Sequence, residues 1–490
     1  MLGWRATALL TAIGAACGGG VAPLPGWRCA AGRAHDEGNS AQRPSPAPLR
    51  RGGAAARVAA GSAHPTPRRG RPPFRLAGWV LPTSEPQGVF PSAAEPPTGR
   101  VRRRLPPRLA WTRELDNAGN ADLAWDVVEL PTGEIVVVGI TGPTPCQLGC
   151  NWDGWIVKLN RFGNVLWTRQ TGGPGADLLT SAATLGTDVV VAGSTVVFPL
   201  GRQAWIFAVS QAGATIWERT FGGNGNDSAN QVIATADGGL LVVGQATPAA
   251  SPDGKSDLWL LRLGPAGEGE WARTYDLGSE DMGVAVAPLG ADRFVVAEVT
   301  CTAGCGGLWQ RGYASVLVVD AGGQVEAQKV WDEGPKTILH EAVATADGGA
   351  VLVGATSVHE EFPSADAWVV KLDADANVEW TRIFQSPGRW DGAFAVVELP
   401  AGGYLVGGYS QVIQTADMNY DNFWLARLDG TGELLGSLTW GGPDNDDIYD
   451  LTLTRDGGVV LAGFADAVSW PLSAIPGPAD FYVARLAELP

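Results

Sequence analysis

Four tryptophans in irregular loops between the repeated motifs are the first candidates for contact with a ligand. They are Trp152, Trp309, Trp390 and Trp470. An indole ring offers a flat apolar surface with one hydrogen-bond donor, which suits stacking on a sugar ring or holding a peptide. We therefore predict that these side chains form a ligand-binding surface. The alternative is that each ring packs beneath its own loop as a small satellite core.

Calcium is the one cofactor that a residue spacing in this chain favours. Asp417, Asn419 and Asp421 carry side-chain oxygens at alternating positions, as at the start of a calcium-binding loop. The glycine that usually follows and the distal glutamate are absent from the standard positions. A metal site at these three residues is therefore predicted beside the alternative of a solvated acidic loop, and no other cofactor is expected.

Signatures of catalysis are sparse. His340 and His359 are the only histidines after residue 110, and together they would make a metal or acid–base site. The chain has no nucleophile elbow, phosphate-binding loop or metalloprotease motif. Carboxylate pairs for glycoside hydrolysis stay open, because their separation in space is not readable from the sequence. We expect a protein that binds rather than catalyses.

Two pairs of cysteines share the same spacing. Cys146 and Cys150 form one pair, and Cys301 and Cys305 form the other. We predict that both are local disulfides, which persist in an oxidising compartment. A zinc site is the alternative, although no histidine lies close to either pair in the sequence.

The first 17 residues have the features of an export signal. A short positive start is followed by an apolar stretch, residues 6–16, that is too short to span a membrane. The segment resembles a bacterial lipoprotein signal, which implies lipidation at Cys17, although Gly14 stands where that motif usually has leucine. A cleaved signal peptide is the alternative. We expect a location in the cell envelope or outside the cell, with membrane contact only through the lipid.

Charge divides the chain into two parts. Residues 1–110 carry 16 Arg and 4 acidic residues, whereas the remaining residues carry 19 basic and 47 acidic residues. The stretch 18–105 is rich in Pro, Ala, Arg and Gly and has no periodic apolar pattern, so we predict a disordered tether. The acidic part repels phosphate backbones, so we expect no nucleic-acid partner.

Residues 106–490 repeat a unit of 50 to 58 residues seven times. One marker is Asp-x-Trp-x-x-Lys/Arg-Leu, which begins at Asp153, Asp257, Asp366, Asn422 and Asp480, with degenerate copies near Trp205 and Tyr313. A second marker is Asp-Gly-Gly followed by an apolar run, as at Asp237, Asp347 and Asp456. A third is a strand with a Trp near its centre or end, at Trp111, Trp167, Trp217, Trp271, Trp331, Trp380 and Trp440.

The markers predict four short strands in each unit. Asp-Gly-Gly supplies the positive φ of a tight hairpin, and alternation along the Trp155 strand places apolar side chains on one face. A period near fifty with four strands indicates a β-propeller. The last unit lacks its own Trp strand and the strand at Trp111 has no preceding unit, so we predict an all-β, seven-bladed propeller of four antiparallel strands per blade, closed by the N-terminal strand and monomeric.

One aspartate position recurs before the first strand of six units. Its members are Asp122, Asp177, Asp227, Asp281, Asp391 and Asp446, with Thr337 in the remaining unit. These carboxylates would either form an acidic ring that holds cations or accept backbone N–H groups within their own turns.

The order of these motifs resembles the repeats of bacterial secreted and lipoprotein propellers, most of which have no known function. The segment from Leu159 to Trp167 also resembles the tryptophan-docking turn of quinoprotein propellers, although the usual Thr before Gly163 is missing. The resemblance covers residues 111–486 and implies the fold more than an activity. We expect a binding or scaffolding propeller that recognises a glycan or an exported protein, with a glycan-active hydrolase or lyase as the alternative.

Overall fold

The computed structural model describes twelve segments of the chain: residues 109–117, 120–143, 151–248, 254–278, 280–301, 312–331, 337–357, 365–384, 390–415, 418–441, 445–467 and 479–487. These residues form 28 strands in seven antiparallel sheets of four strands each. No helix occurs among them. The innermost strands of neighbouring sheets contact one another around a ring. The prediction of a seven-bladed propeller is confirmed.

Each blade runs from an inner strand to an outer strand. The inner strands are β2 (Ala121–Glu129), β6 (Leu178–Leu185), β10 (Ser228–Ala234), β14 (Glu280–Leu289), β18 (Thr337–Ala344), β22 (Asp391–Glu398) and β26 (Asn445–Leu453). The second strands are β3 (Ile135–Gly142), β7 (Asp188–Val197), β11 (Leu240–Ala246), β15 (Arg293–Cys301), β19 (Ala350–Thr356), β23 (Tyr404–Thr415) and β27 (Val459–Ala467).

The remaining two ranks complete the blades. The third strands are β4 (Asp153–Leu159), β8 (Gly201–Val209), β12 (Asp257–Leu263), β16 (Gly312–Asp320), β20 (Asp366–Leu372), β24 (Met418–Leu428) and β28 (Asp480–Leu486). The outer strands are β5 (Val165–Thr171), β9 (Thr215–Phe221), β13 (Gly269–Tyr275), β17 (Val325–Trp331), β21 (Val378–Phe384), β25 (Leu434–Trp440) and β1 (Leu109–Leu115).

The N-terminal strand closes the ring as predicted. β1 pairs antiparallel with β28, so blade 7 contains the last three strands of the chain and the first one. Blades 1 to 6 follow in chain order from β2. This pairing covers the outer side of β28, because β1 takes the outer position that every other blade fills locally.

The core lies between the blades. The Trp of the third strand is buried wherever it occurs, for example Trp155 and Trp368 at 4% and 5% exposure. Trp155 packs against Phe481 of blade 7, with ring centroids 4.4 Å apart. Both faces of each sheet therefore lose water-exposed apolar area, and this burial is the main force that holds neighbouring blades together.

The outer strands dock on the next blade through their tryptophans. The Trp111 indole N–H donates to the Arg161 carbonyl at 3.1 Å, and Arg113 donates to the Gly163 carbonyl. Gly163 has φ +76°, and a Cβ there would lie 2.8 Å from the Trp111 ring. The same glycine–tryptophan contact recurs at Gly213–Trp167, Gly267–Trp217, Gly323–Trp271 and Gly432–Trp380. This turn therefore has a packing role between blades.

Candidate functional site

The two faces of the ring differ in their connections. On one face, here called the hairpin face, tight turns such as the Asn160–Gly163 turn join the strands, with the Gly163 N–H donating to the Asn160 carbonyl at 2.8 Å. On the opposite face, the loop face, the connections from second to third strands vary in length. Three residues (198–200) join β7 to β8, ten (302–311) join β15 to β16, and twelve (468–479) join β27 to β28.

The repeated aspartates lie on the loop face and are buried. Asp122 and Asp281 are 0% exposed, and Asp177 and Asp227 are 1% exposed. Their Oδ2 atoms accept backbone N–H groups from the turn just before them: Asn117 to Asp122 and Gly173 to Asp177 at 2.6 Å, Gly223 to Asp227 at 2.6 Å, and Leu277 to Asp281 at 2.8 Å. These four carboxylates thus organise their own turns.

A β-bulge interrupts the inner strand of every blade, and the sequence analysis missed it. The bulged residues are Trp125, Thr180, Asn230, Val284, His340, Phe394 and Tyr449. In six blades a glycine of the second strand faces the bulge. A Cβ on Gly139, for example, would lie 2.0 Å from the Leu123 carbonyl oxygen. The final glycine of the second repeat marker is the sequence signal of this feature.

Aromatic rings fill the bulge positions over half of the ring, from blade 5 through blade 1. Phe394 stacks on Tyr449 with centroids 4.8 Å apart, and His340 meets Phe394 at 4.5 Å. The other half carries Thr180, Asn230 and Val284, so the central channel has one aromatic side and one side of small side chains. Burial lowers the pKa of His340 to about 3, so its imidazole is neutral at physiological pH.

The residue after each bulge forms a second layer, the channel belt. Its members are Asp126, Ser181, Gln231, Ala285, Glu341, Ala395 and Asp450. All five polar members accept a backbone N–H from the inner strand of the next blade, at distances of 2.7 to 3.2 Å. The belt therefore joins blades around the channel.

The three belt carboxyls have raised pKa values. Burial raises the pKa of Glu341 to about 8, with the charge of Asp126 adding to the effect and the Val396 N–H opposing it. Burial also raises the pKa values of Asp126 and Asp450. These two carboxyls hydrogen-bond to each other, which raises the pKa of Asp450 and lowers that of Asp126. A hydrogen bond between two carboxyls needs one proton, which the pair shares.

The predicted binding tryptophans have different surroundings. Trp390 is half-buried beside Ala355 and Ala365 and leaves part of its ring at the loop face. Trp152 is 2% exposed and packs in the cluster that contains Leu178 and Ile140, so its ring offers no stacking surface in this conformation. Trp309 and Trp470 lie outside the described residues.

The segment predicted as a calcium loop is a strand. Asn419 and Asp421 belong to β24, where Asn419 pairs with Ile413 and Asp421 with Gln411, and Asp417 lies outside the described residues. The spacing of Asn419 and Asp421 is that of alternate residues in a pleated strand. Metal binding by Asp417, Asn419 and Asp421 stays a prediction.

Asp421 instead lies in a buried polar junction between blades 6 and 7. Its N–H donates to the Asn445 Oδ1 at 3.1 Å, and Asp421 and Asp447 are 0% and 1% exposed. Burial raises the pKa of Asp421 to about 7, and burial together with the charge of Asp421 raises that of Asp447. At the equivalent junction between blades 1 and 2, Trp152 stands in the place of Asp421 and Leu178 in the place of Asp447.

The remaining site predictions fall mostly beyond the described chain. Cys17, Cys146, Cys150 and Cys305 lie outside the described residues, as does His359, and Cys301 is the last residue of β15. Both disulfides and the lipidation site stay predictions. Within the described ranges, no helix has the length and hydropathy that a membrane span needs.

No family model matches this sequence, and no curated protein does either. Solved propellers match in fold alone. The Neurospora crassa Pan2 WD40 domain is 14% identical with a TM-score of 0.44, covering 76% of this chain and 91% of that one. The propeller domain of the Pyrococcus furiosus Trilobed protease is 11% identical with a TM-score of 0.41, covering 75% and 94%. The Pseudomonas aeruginosa periplasmic gluconolactonase PpgL is 11% identical with a TM-score of 0.43, covering 71% and 98%.

Proposed function

We propose that this protein is a non-catalytic binding or scaffolding propeller of the cell envelope, held there by a lipid on Cys17. Its ligand, a glycan or an exported protein, binds on the loop face at the mouth of the channel. The observation that carries this proposal is the difference between the faces. Connections of unequal length join the second and third strands on the loop face, whereas the hairpin face repeats nearly the same turns.

Aromatic groups supply the contact surface of the proposed site. Trp390 leaves part of its ring exposed on the loop face between blades 5 and 6. The stacked pair of Phe394 and Tyr449 lies at the next level of the channel. Ring faces of this kind stack on the apolar faces of sugars and on peptide side chains, while the neighbouring carboxyls accept hydrogen bonds from hydroxyl or N–H groups.

The belt carboxyls already have structural partners, which argues against a catalytic role. Asp126, Glu341 and Asp450 each accept the backbone N–H of the next blade. A general acid or base must exchange its proton with the substrate, and a carboxyl that is held by an inter-blade hydrogen bond is constrained in that movement. Their raised pKa values follow from burial in the channel.

The proposal is tested by mixing the purified protein with insoluble peptidoglycan and polysaccharides, followed by assay of the pellet for protein. Trp390→Ala should release the protein from the pellet, because it removes the partly exposed ring on the loop face. Phe162→Ala is the matched control, since Phe162 is 58% exposed on the hairpin face. Equal loss with both variants would contradict the proposed site, and wild type wholly in solution would favour a protein ligand over a glycan.

A glycan-active hydrolase is the second candidate, and one observation favours it. Asp126 and Asp450 are neighbouring channel carboxyls whose pKa values are both raised by burial, and the general acid of a glycosidase needs a raised pKa. Assay of the supernatant of the same experiment for released sugar decides between hydrolysis and binding. Released sugar that disappears in Asp126→Asn would establish catalysis, whereas bound protein without released sugar supports binding alone.

A further inference from the structure

Three carboxyl groups meet where the ring closes. Asp116 follows the N-terminal strand β1, Asp122 lies near the start of β2, and Asp480 is the first residue of the C-terminal strand β28. One carboxylate oxygen from each lies within 4.8 Å of the other two. The cluster therefore joins the first and last strands of the propeller with its first inner strand.

One of these carboxylates has a buried oxygen without a well-formed hydrogen bond. Asp122 is 0% exposed, and its Oδ2 accepts the Asn117 N–H at 2.6 Å. No donor among the described residues meets its buried Oδ1 with hydrogen-bond geometry, although the Thr141 hydroxyl lies near this carboxylate. A buried carboxylate oxygen without a donor costs on the order of a few kcal/mol, so a second group at this position would satisfy it.

The third carboxylate is absent from the neighbouring junction. Between blades 1 and 2, Gly172 stands at the position of Asp116, and a Cβ there would lie 2.3 Å from Asp153 Oδ1 and 2.7 Å from Asp177 Oδ2. The ring closure therefore has a carboxylate at a position where that junction leaves no room for a side chain. The same triple occurs once more, at Asp257, Asp276 and Asp281, which are the equivalent residues of blades 3 and 4.

We infer that Asp116, Asp122 and Asp480 bind one divalent cation, for which calcium is the best match. Calcium takes six to eight oxygen ligands at about 2.3–2.6 Å in flexible geometry, so three oxygens that lie within 4.8 Å of one another can share one ion. Magnesium demands a near-ideal octahedron and keeps several waters, which suits a loose three-carboxylate set less well. The bound ion joins β1 to β28 and stabilises the closed ring.

The electrostatics of the cluster agree with this assignment. At neutral pH the cluster holds mutually repelling charges, and a divalent cation neutralises them without a proton.

Calcium titration of the metal-stripped full chain by isothermal calorimetry tests the inference. Asp116→Asn should remove one bound ion per chain, and Asp116 is exposed, so this variant keeps the fold. Excess calcium should raise the thermal midpoint of the wild type by about 3–8 °C over EGTA, and by less in the variant. Asp177→Asn is the control, because Asp177 is an equally buried ring aspartate without a third carboxylate.

Two results would overturn the inference. One is a wild type that binds no calcium and has the same midpoint in calcium and in EGTA, which would leave the cluster neutralised by a proton. The other is calcium binding that Asp116→Asn leaves unchanged, for instance binding that only Asp276→Asn removes. Loss of one ion in Asp116→Asn, with unchanged stoichiometry in Asp177→Asn, supports it.

Discussion

The channel belt shows how one position serves different side chains. Gln231 and Glu341 occupy equivalent positions, and each accepts the N–H of the next inner strand at 2.7 Å. The amide does so without charge, whereas the carboxyl has its pKa raised to about 8 by burial and by the charge of Asp126. The ionised form of Glu341 is therefore disfavoured in the folded state.

We predict that Glu341→Gln flattens the dependence of stability on pH. In the wild type, the unfolded glutamate loses its proton near pH 4.5, while the folded one keeps it until about pH 8. Stability therefore falls as pH rises through this window, by up to about 1.4 kcal/mol per pH unit for this group. Urea unfolding at several pH values measures the slope. Glu326→Gln, an exposed charge on β17, should leave it unchanged, and an unaltered slope in Glu341→Gln would refute the assignment.

A second residue-level prediction concerns the buried junction between blades 6 and 7. Leu178 occupies the position between blades 1 and 2 that Asp447 occupies between blades 6 and 7, so Asp447→Leu introduces a side chain that this position already accepts. The change also removes a carboxyl whose pKa is raised by burial and by the charge of Asp421. We expect stability at pH 8 to rise by about 1–3 kcal/mol. Chemical denaturation measures this, with Asp188→Leu at the partly buried first position of β7 as the control. A loss of stability would mean that the carboxyl has a partner in the native protein.

At the level of elements, the blades are joined by turns that fit a neighbouring tryptophan. Gly267 and Gly238 both have positive φ, at +75° and +88°. A Cβ on Gly267 would lie 2.5 Å from the Trp217 ring, whereas nothing lies within 4 Å of a Cβ on Gly238. The two glycines thus share a conformational requirement and differ only in the docked ring.

We predict that Gly267→Ala is more destabilising than Gly238→Ala. Each variant costs about 1–2 kcal/mol for an alanine in the left-handed region. Gly267→Ala costs about 1–3 kcal/mol more, because the methyl group displaces the Trp217 ring. The free energies of unfolding of the two variants, measured in urea, give the difference directly. Equal values would show that the turn has no docking role.

Strands and blade order were predictable because each unit repeats its turn chemistry and its buried Trp. The bulge and the belt were not, because Glu341 or Asp450 within a strand looks the same as any solvent-facing acid until the register is known. Burial of single loop residues also depends on the neighbouring blade. Trp152 is covered by blade 2, whereas Trp390 keeps part of its ring exposed, and nothing in the sequence around either ring distinguishes them.

At the level of the whole molecule, closure of the ring depends on a strand far from its partners in sequence. β1 pairs with β28, and Trp111 docks on the turn at Gly163 of blade 1. The N-terminal strand thereby contacts both the last blade and the first. Without it, blade 7 would present β28 as an open edge.

We predict that a chain starting at residue 116 is much less stable than one starting at residue 106. The shorter chain lacks β1 and loses the burial of Leu109, Trp111 and Leu115, on the order of 5 kcal/mol. Thermal unfolding of the two chains measures the difference. Matching midpoints would show that the closing strand does not stabilise the ring.

The measurement that tests the central proposal most directly is amide hydrogen exchange on the protein with and without soluble fragments of the polymer that retains it in the pellet. The account predicts slower exchange at the loop face, around Trp390 and the starts of the inner strands, with no change at the Asn160–Gly163 turn and its equivalents. Protection confined to the hairpin face, or cleavage of the fragments during the experiment, would contradict a binding site on the loop face that acts without catalysis.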